Sequence, residues 1–348
     1  MIRYHARVVA PVSSPLLRDG TVAVDGETIV YVGPRDGAPA GRDRDLGDVA
    51  IVPGLVDSAS ELPLARGLAA GITTYARAGA GAMAELIAAG VRGIAYQEVV
   101  GPAPGDADAA MAALLSSLGA RRTAVTALVR AGVAVRSVAD THEDLLLDAC
   151  ALALRESMPL RIGVGATEDE TRFLRDAAGA LADALRARGV AVDRRAHSAV
   201  HLLAELGIAA AAQPLLVVGP ALDDSDVALI DYYGCPAAIR APDPSDVLAE
   251  RIPPLLGQLL DAGVEVGLGT TARARSLPGT LVMPPGTALA LSTIGGAQAL
   301  GLAALVGSLD VGKQADLAAF PLAPDGTFSL GSQAGLVMVA GRVLVGGE

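Results

Sequence analysis

The sequence predicts an α/β chain: a TIM (β/α)8 barrel with a small composite β-sandwich domain built from both termini. Three observations lead there. From Ile51 onward short apolar runs alternate with Ala-rich segments of helical period, eight such runs can be counted, and strand-like segments with turn punctuation occupy both ends of the chain. The length of 348 residues fits this, since such a barrel takes ~250 residues and leaves the remainder for a second domain.

The first fifty residues read as strands at Ala6 to Ala10, Gly20 to Val24 and Thr28 to Val32, with Asp25-Gly26 as a hairpin signal between the last two. The barrel strands are expected at Val52 to Val56, Ile72 to Tyr75, Gly93 to Val99, Val133 to Val138, Leu160 to Val164, Leu215 to Val218, Ala237 to Ile239 and Val264 to Leu268. Helical period places helices between them at Ala82 to Ala89, Asp106 to Leu118, Glu143 to Glu156, Glu168 to Arg188 and Asp224 to Tyr232. Strands return at Leu317 to Phe320 and Leu336 to Val339, followed by a turn at Gly341-Arg342 and a strand from Val343 to Val345. The expected organisation is a composite β-domain of residues 1–50 and 309–348 around a barrel of residues 51–308.

Composition narrows the function classes. Hydrophobic residues make up 52% of the chain and aromatics 3%, so the core must be packed from Ala, Val, Leu and Ile. The net charge of −11 forms no acidic tail or basic block, which argues against nucleic acid as a partner. Cys150 and Cys235 lie far apart without metal-type spacing and read as reduced core thiols. No apolar run reaches the ~18 residues of a membrane span, and the start MIRYHARVVAP lacks the apolar stretch of a signal peptide, so a cytoplasmic protein without membrane contact is expected.

Several phrases are specific: Ile51-Val-Pro-Gly-Leu-Val-Asp57, Gly71-Ile-Thr-Thr74, Val266-Gly-Leu-Gly-Thr270, Gly295-Gly-Ala-Gln-Ala-Leu-Gly301 and Gly307-Ser-Leu-Asp-Val-Gly-Lys-Gln-Ala-Asp-Leu317. Together they resemble the amidohydrolase superfamily over nearly the whole chain, with the deaminase and chlorohydrolase branch nearest. The resemblance implies a metal site of His-x-His on strand 1, His on strands 5 and 6 and Asp after strand 8, with a catalytic Glu three residues after the strand 5 His. Those places fall here on Ala59 and Glu61, Gly163, Val218 and Thr271, and the catalytic Glu falls on Ala166. The substrate-binding His that the resemblance implies after strand 4 falls on Arg136. A catalytic zinc or iron needs about three converging N, O or S ligands with a position left for water, and of these residues Glu61 alone offers one. The expectation is no metal, no cofactor and no catalytic residue.

A displaced site can be sought among the four histidines. His5 falls in the β-domain and His142 begins a helix, while His197 and His201 have i, i+4 spacing without the Glu beside the first that a zincin motif carries; a partly exposed helix face is expected for this pair. Gly79-Ala-Gly-Ala-Met-Ala84 formally matches a dinucleotide fingerprint, but that reading conflicts with every phrase above, and close packing is the expected role, with a backbone anion site at the helix start as the alternative. At the barrel mouth Glu61, Glu98, Arg136, Arg161 and Thr271 form the candidate pocket, with the arginines expected to pair with Glu61 or Glu98, either filling the vacated volume or holding a small polar or anionic ligand.

The function expected from this is a non-catalytic amidohydrolase-like protein, a binding, regulatory or assembly subunit acting as a homodimer or beside an active paralogue. The alternative is a hydrolase or deaminase acting on non-peptide C–N bonds of a small cyclic or nucleoside-like substrate through a rebuilt site using Glu61, Glu98 and Arg136. A purely structural protein with a filled barrel would differ by having no pocket.

Overall fold

The computed structural model describes residues 1–121, 126–241, 249–279 and 281–346. In chain order the strands are β1 Ile2–Val9, β2 Leu17–Asp25, β3 Thr28–Pro34, β4 Arg42–Asp45, β5 Val49–Pro53, β6 Leu55–Ser60, β7 Ile72–Ala78 and β8 Arg92–Val99. They continue as β9 Val129–Val135, β10 Leu160–Val164, β11 Leu215–Val218, β12 Ala237–Arg240, β13 Val266–Gly269, β14 Leu317–Pro321, β15 Leu336–Val339 and β16 Arg342–Val345. Two sheets result, and the fold class is the expected α/β barrel with a β-domain. Eight strands run in the order β13-β12-β11-β10-β9-β8-β7-β6 as a nearly closed barrel, and the other sheet runs β16-β15-β14-β5-β1-β2-β3, with β4 pairing to β1.

The chain divides into two compact units, one of residues 1–76, 86–93 and 267–348, the other of residues 77–85 and 94–266. In the first unit the sheet is assembled from both ends of the sequence. β5 pairs parallel to β1 and antiparallel to β14, with Val52 opposite Ala318. Its core joins Tyr4, Val22 and Ile29 to Leu317, Leu336 and Met338. The β2–β3 hairpin turns at Gly26-Glu27, where Gly26 takes a φ of 58° that costs glycine little. His5 is buried on β1, held by the Thr21 hydroxyl at 2.7 Å and the Asp43 carboxylate at 2.6 Å, which makes it a structural residue.

The single strand expected over Val52 to Val56 is in fact two, because Pro53 ends β5 in one sheet and β6 begins at Leu55 in the other. β6 is buried at every position and backs onto β13 and onto the helical residues 285–299, where a Cβ on Gly267 would collide with Ser58 and one on Gly296 with Val56. The buried ion pair between Arg92 and Asp316 holds the start of β8 to the start of β14, and Asp316 also accepts the Ala340 N–H at 2.8 Å.

In the second unit β9 through β12 pair in parallel register. The helix expected over Glu168 to Arg188 is broken in two, Glu168–Asp176 and Ala180–Ala187. Ala177 at φ 53° stops the first, and the Asp169 carboxylate caps the second by accepting the N–H groups of Ala180 and Leu181 at 3.2 and 3.3 Å. Cys150 and Cys235 are free, buried thiols whose ionisation burial suppresses, Cys235 to about 11. Among the described residues no helix is long and apolar enough to cross a membrane.

Candidate functional site

In the first unit a side chain of β6 meets the residue that follows β13. Asp57 is fully buried and accepts the Thr270 hydroxyl at 2.5 Å, the Thr270 N–H at 3.1 Å and the Ala59 N–H at 3.3 Å. Burial raises its pKa, and these donors work against the rise. Ala59 is buried with no side-chain donor atom, Glu61 is exposed just past the end of β6 with its N–H on the Thr270 carbonyl at 3.2 Å, and Thr271 follows half-buried. The carboxylate of this motif therefore joins the first and last barrel strands.

In the second unit Glu98 is the seventh residue of β8, half-buried. β9 stops at Val135, earlier than expected, so Arg136 lies beyond it, largely exposed. The expectation that Arg136 pairs with Glu61 or Glu98 is corrected: its guanidinium grips Asp140, four residues on, at 2.6 and 3.2 Å. A turn this short brings a local carboxylate within reach, and no long-range partner is needed. Arg161 is the second residue of β10, buried, with its guanidinium 5.8 Å from the centre of the Tyr96 ring. Burial pushes the Tyr96 phenol up to about 12. Gly163 and Val218 stand near the carboxyl ends of β10 and β11, and Val218 is buried.

Glu170 was missed by sequence reasoning. It is 6% exposed, and its carboxylate accepts the Ala166 N–H at 2.8 Å and the Ser137 hydroxyl at 3.0 Å, so it bridges the segments leaving β10 and β9. Burial raises its pKa to about 7 and the nearby Asp140 charge adds to that, against the two hydrogen bonds. One sequence signal was available: Thr167-Glu-Asp-Glu170 has the spacing of a capping box, and Thr167 does accept the Glu170 N–H at 3.2 Å.

The helix face expected for His197 and His201 is corrected: the helix Ala199–Glu205 starts after its cap Ser198, so His201 alone is helical and His197 lies exposed before it, and both rings reach carboxylates of the segment after β11. His197 meets Asp223 at 3.0 Å, and His201 meets Ser198 at 2.9 Å and Asp226 at 3.3 Å. Ser198 donates to Asp226 directly, so the three residues do not form the relay in which histidine separates a serine from an acid. Burial of Asp223 is outweighed by hydrogen bonds from Ser225, His197 and backbone N–H groups, which bring it down to about 2. The Gly79 segment is a turn with a φ of 121°, and Glu85, paired with Arg77 at 2.9 Å, sets a negative charge beside Gly81 where an anion would have to approach. Among the described residues no group of three or more His, Cys, Asp or Glu side chains is placed to hold a metal ion.

The sequence profile of the amidohydrolase family matches residues 35–344. A 5-methylthioadenosine/S-adenosylhomocysteine deaminase from Syntrophobacter fumaroxidans is 34% identical over 117 residues, covering 28% of this chain and 26% of that protein. The match thus spans about a quarter of that relative's length. Among solved structures, a zinc-containing adenosine deaminase from Xanthomonas campestris superposes with a TM-score of 0.74 at 20% identity, covering 99% of this chain and 92% of the other. The aminofutalosine deaminase of Helicobacter pylori gives 0.81 at 13% identity, over 99% and 100% of the two chains. The zinc-bound atrazine chlorohydrolase of Arthrobacter aurescens gives 0.76 at 18% identity, over 99% and 95%. At such identities these likenesses establish the fold, and the profile match, extending over far more than half of the sequence, establishes that the chain belongs to the amidohydrolase family.

Proposed function

We propose that this chain is a hydrolase or deaminase acting on a non-peptide C–N bond of a small cyclic or nucleoside-like substrate, through a site rebuilt without a bound metal. The substrate class is supported by the deaminases and the chlorohydrolase to which the chain is similar. The residues present do not fit a metal centre. Ala59, Gly163 and Val218 carry no side-chain donor, Thr271 carries only a hydroxyl, Asp57 is committed to Thr270, and Glu61 is the one carboxylate at the places the family resemblance gives to ligands.

The observation that carries the reading is Glu170, a nearly buried carboxyl between the segments that leave β9 and β10, with a pKa of about 7. Replacing an amine by water requires a group that takes a proton from the attacking water and returns one to the leaving nitrogen. A carboxyl poised near neutral pH has both forms populated, and such catalysis contributes ~10²–10⁴-fold. Arg136 lies in the same segment as Ser137 and offers a cation to a polar substrate group. Glu98 and Arg161 remain proposed contact residues of the same unit, and Glu61 and Thr271 remain candidates of the first unit, each to be tested by its own alanine variant.

A second reading is a non-catalytic binding, regulatory or assembly subunit, which shares the ligand places without donors and differs from the first in having no turnover. The experiment is ammonia release from a panel of aminated nucleosides and triazines after chelator treatment, for wild type and Glu170→Gln. Release that resists chelation and falls at least ~10²-fold in the variant supports the hydrolase reading. No release from any substrate, together with thermal stabilisation by one of them, turns the assignment to the second.

A further inference from the structure

We infer that the second unit has given up metal binding in its main chain and not in its side chains alone, because the backbone of Arg136 fills the space into which any side chain at position 163 would project. A Cβ built on Gly163 would overlap the Arg136 carbonyl oxygen and lie 3.1 Å from the carbonyl carbon. A flexible side-chain tip could swing aside, but a backbone carbonyl cannot. Admitting even a methyl group requires the end of β9 to slide on β10, where Ile162 is already paired with Val135.

The same close approach recurs one strand further on. Gly219 directly follows β11, and a Cβ there would overlap the Gly165 carbonyl oxygen and sit 2.6 Å from the Ala166 Cα. Hydrogen bonds lock this arrangement, with the Gly219 N–H on the Val164 carbonyl and the Ala221 N–H on the Gly165 carbonyl, both at 2.9 Å. Gly165 itself takes a φ of 64°, and a side chain on it would run into Leu222. The carboxyl ends of β9, β10 and β11 are therefore sealed by main-chain contact at Gly163 and Gly219, and Gly165 between them lies against the Leu222 side chain.

A metal centre needs ligand side chains that converge and leave room for water. Here β10 supplies neither a side chain at position 163 nor the room for one, and reversing the substitution at that position cannot recreate the site. The inference takes the ligand place at 163 from the family resemblance, but it does not depend on the proposed reaction, since its test reads metal content and unfolding, not turnover.

Wild type, Gly163→Ala and Gly163→His are each incubated with zinc, dialysed and assayed for metal by elemental analysis, and their thermal unfolding is followed by circular dichroism. Wild type is expected to hold well under one zinc per chain. Gly163→Ala should unfold roughly 5 °C lower, the shift that corresponds to a backbone overlap in a packed region. Gly163→His should either hold no more zinc than wild type or be too destabilised to isolate, and both outcomes support the inference. About one zinc per wild-type chain, or a folded Gly163→His protein with one more zinc than wild type, would overturn it. So would a Gly163→Ala protein that unfolds at the wild-type temperature.

Discussion

Asp57 and Thr270 are joined by two hydrogen bonds although 213 residues separate them, one from the Thr270 hydroxyl at 2.5 Å and one from its N–H at 3.1 Å. Both residues are completely buried, so removing the carboxylate strands three donors away from water, the Thr270 hydroxyl and the N–H groups of Thr270 and Ala59. Asp57→Ala should cost about 3 kcal/mol in urea unfolding, and Thr270→Val about 1–2 kcal/mol. Because the two share their interactions, the double variant should lose less than the sum of the singles. Additive losses would show that each residue acts through other neighbours.

The ion pair of Arg92 with Asp316 is bidentate, at 2.8 and 2.9 Å, and both side chains are nearly inaccessible. Leaving one charge unpartnered in such a place costs about 3–5 kcal/mol, so Arg92→Met should shift the denaturant midpoint strongly. Replacing both residues by apolar ones should recover much of that loss. If Arg92→Met alone stays within ~0.5 kcal/mol of wild type, the buried pair has no such role.

Glu170 sets a pH dependence whose sign follows from its raised pKa. Between its ordinary value of 4.5 and about 7, the folded chain keeps a proton that the unfolded chain has released. The stability contributed by Glu170 is therefore fully present below 4.5 and is lost as pH rises through about 7. The decline is bounded at about 3 kcal/mol, and Glu170→Gln should abolish it. The comparison is the unfolding free energy of the two proteins at pH 5 and pH 8. A difference between them that does not change with pH removes Glu170 as the titrating group.

Arg136 pairs with Asp140 in an open setting, with 59% of the arginine side chain accessible. Solvent screens such a pair, so Arg136→Ala should change stability by less than ~1 kcal/mol. The same substitution should weaken binding of an anionic ligand if the guanidinium serves one. A stability loss of ~3 kcal/mol would instead mean that the arginine is buried in solution.

Much of the fold could be read from the sequence, because alternating apolar runs and Ala-rich helices are local signals. The Pro53-Gly54 break was visible but was read as part of one strand, since both flanks are equally apolar. The break after Asp176 could not be read, because Ala177 carries no mark of the left-handed conformation it adopts. At the candidate site, motif register alone assigns Ala59, Gly163, Val218 and Thr271 to ligand places, and the fold sets the first three on β6, β10 and β11. Glu170 escaped because its hydroxyl donor Ser137 lies 33 residues earlier, and the carboxylate partners of His197 and His201 lie 26 and 25 residues away. The Asp140 that binds Arg136 was close in sequence and was passed over for a distant carboxylate.

The pairing of β5 with β14 sets an order of events during synthesis. The ribosome finishes β1 through β5 and then needs on the order of 15–50 s, at ~5–20 residues per second, before the strand that covers the open edge of β5 emerges. During that interval a nascent half-sheet presents unpaired backbone groups and the apolar faces of Val22, Ile29 and Ile51 to whatever is nearby. A denatured full-length chain faces no such delay, since both halves of the sheet are present from the start. Yields from cells should therefore depend on translation speed and chaperone supply to an extent that refolding in the test tube does not reveal.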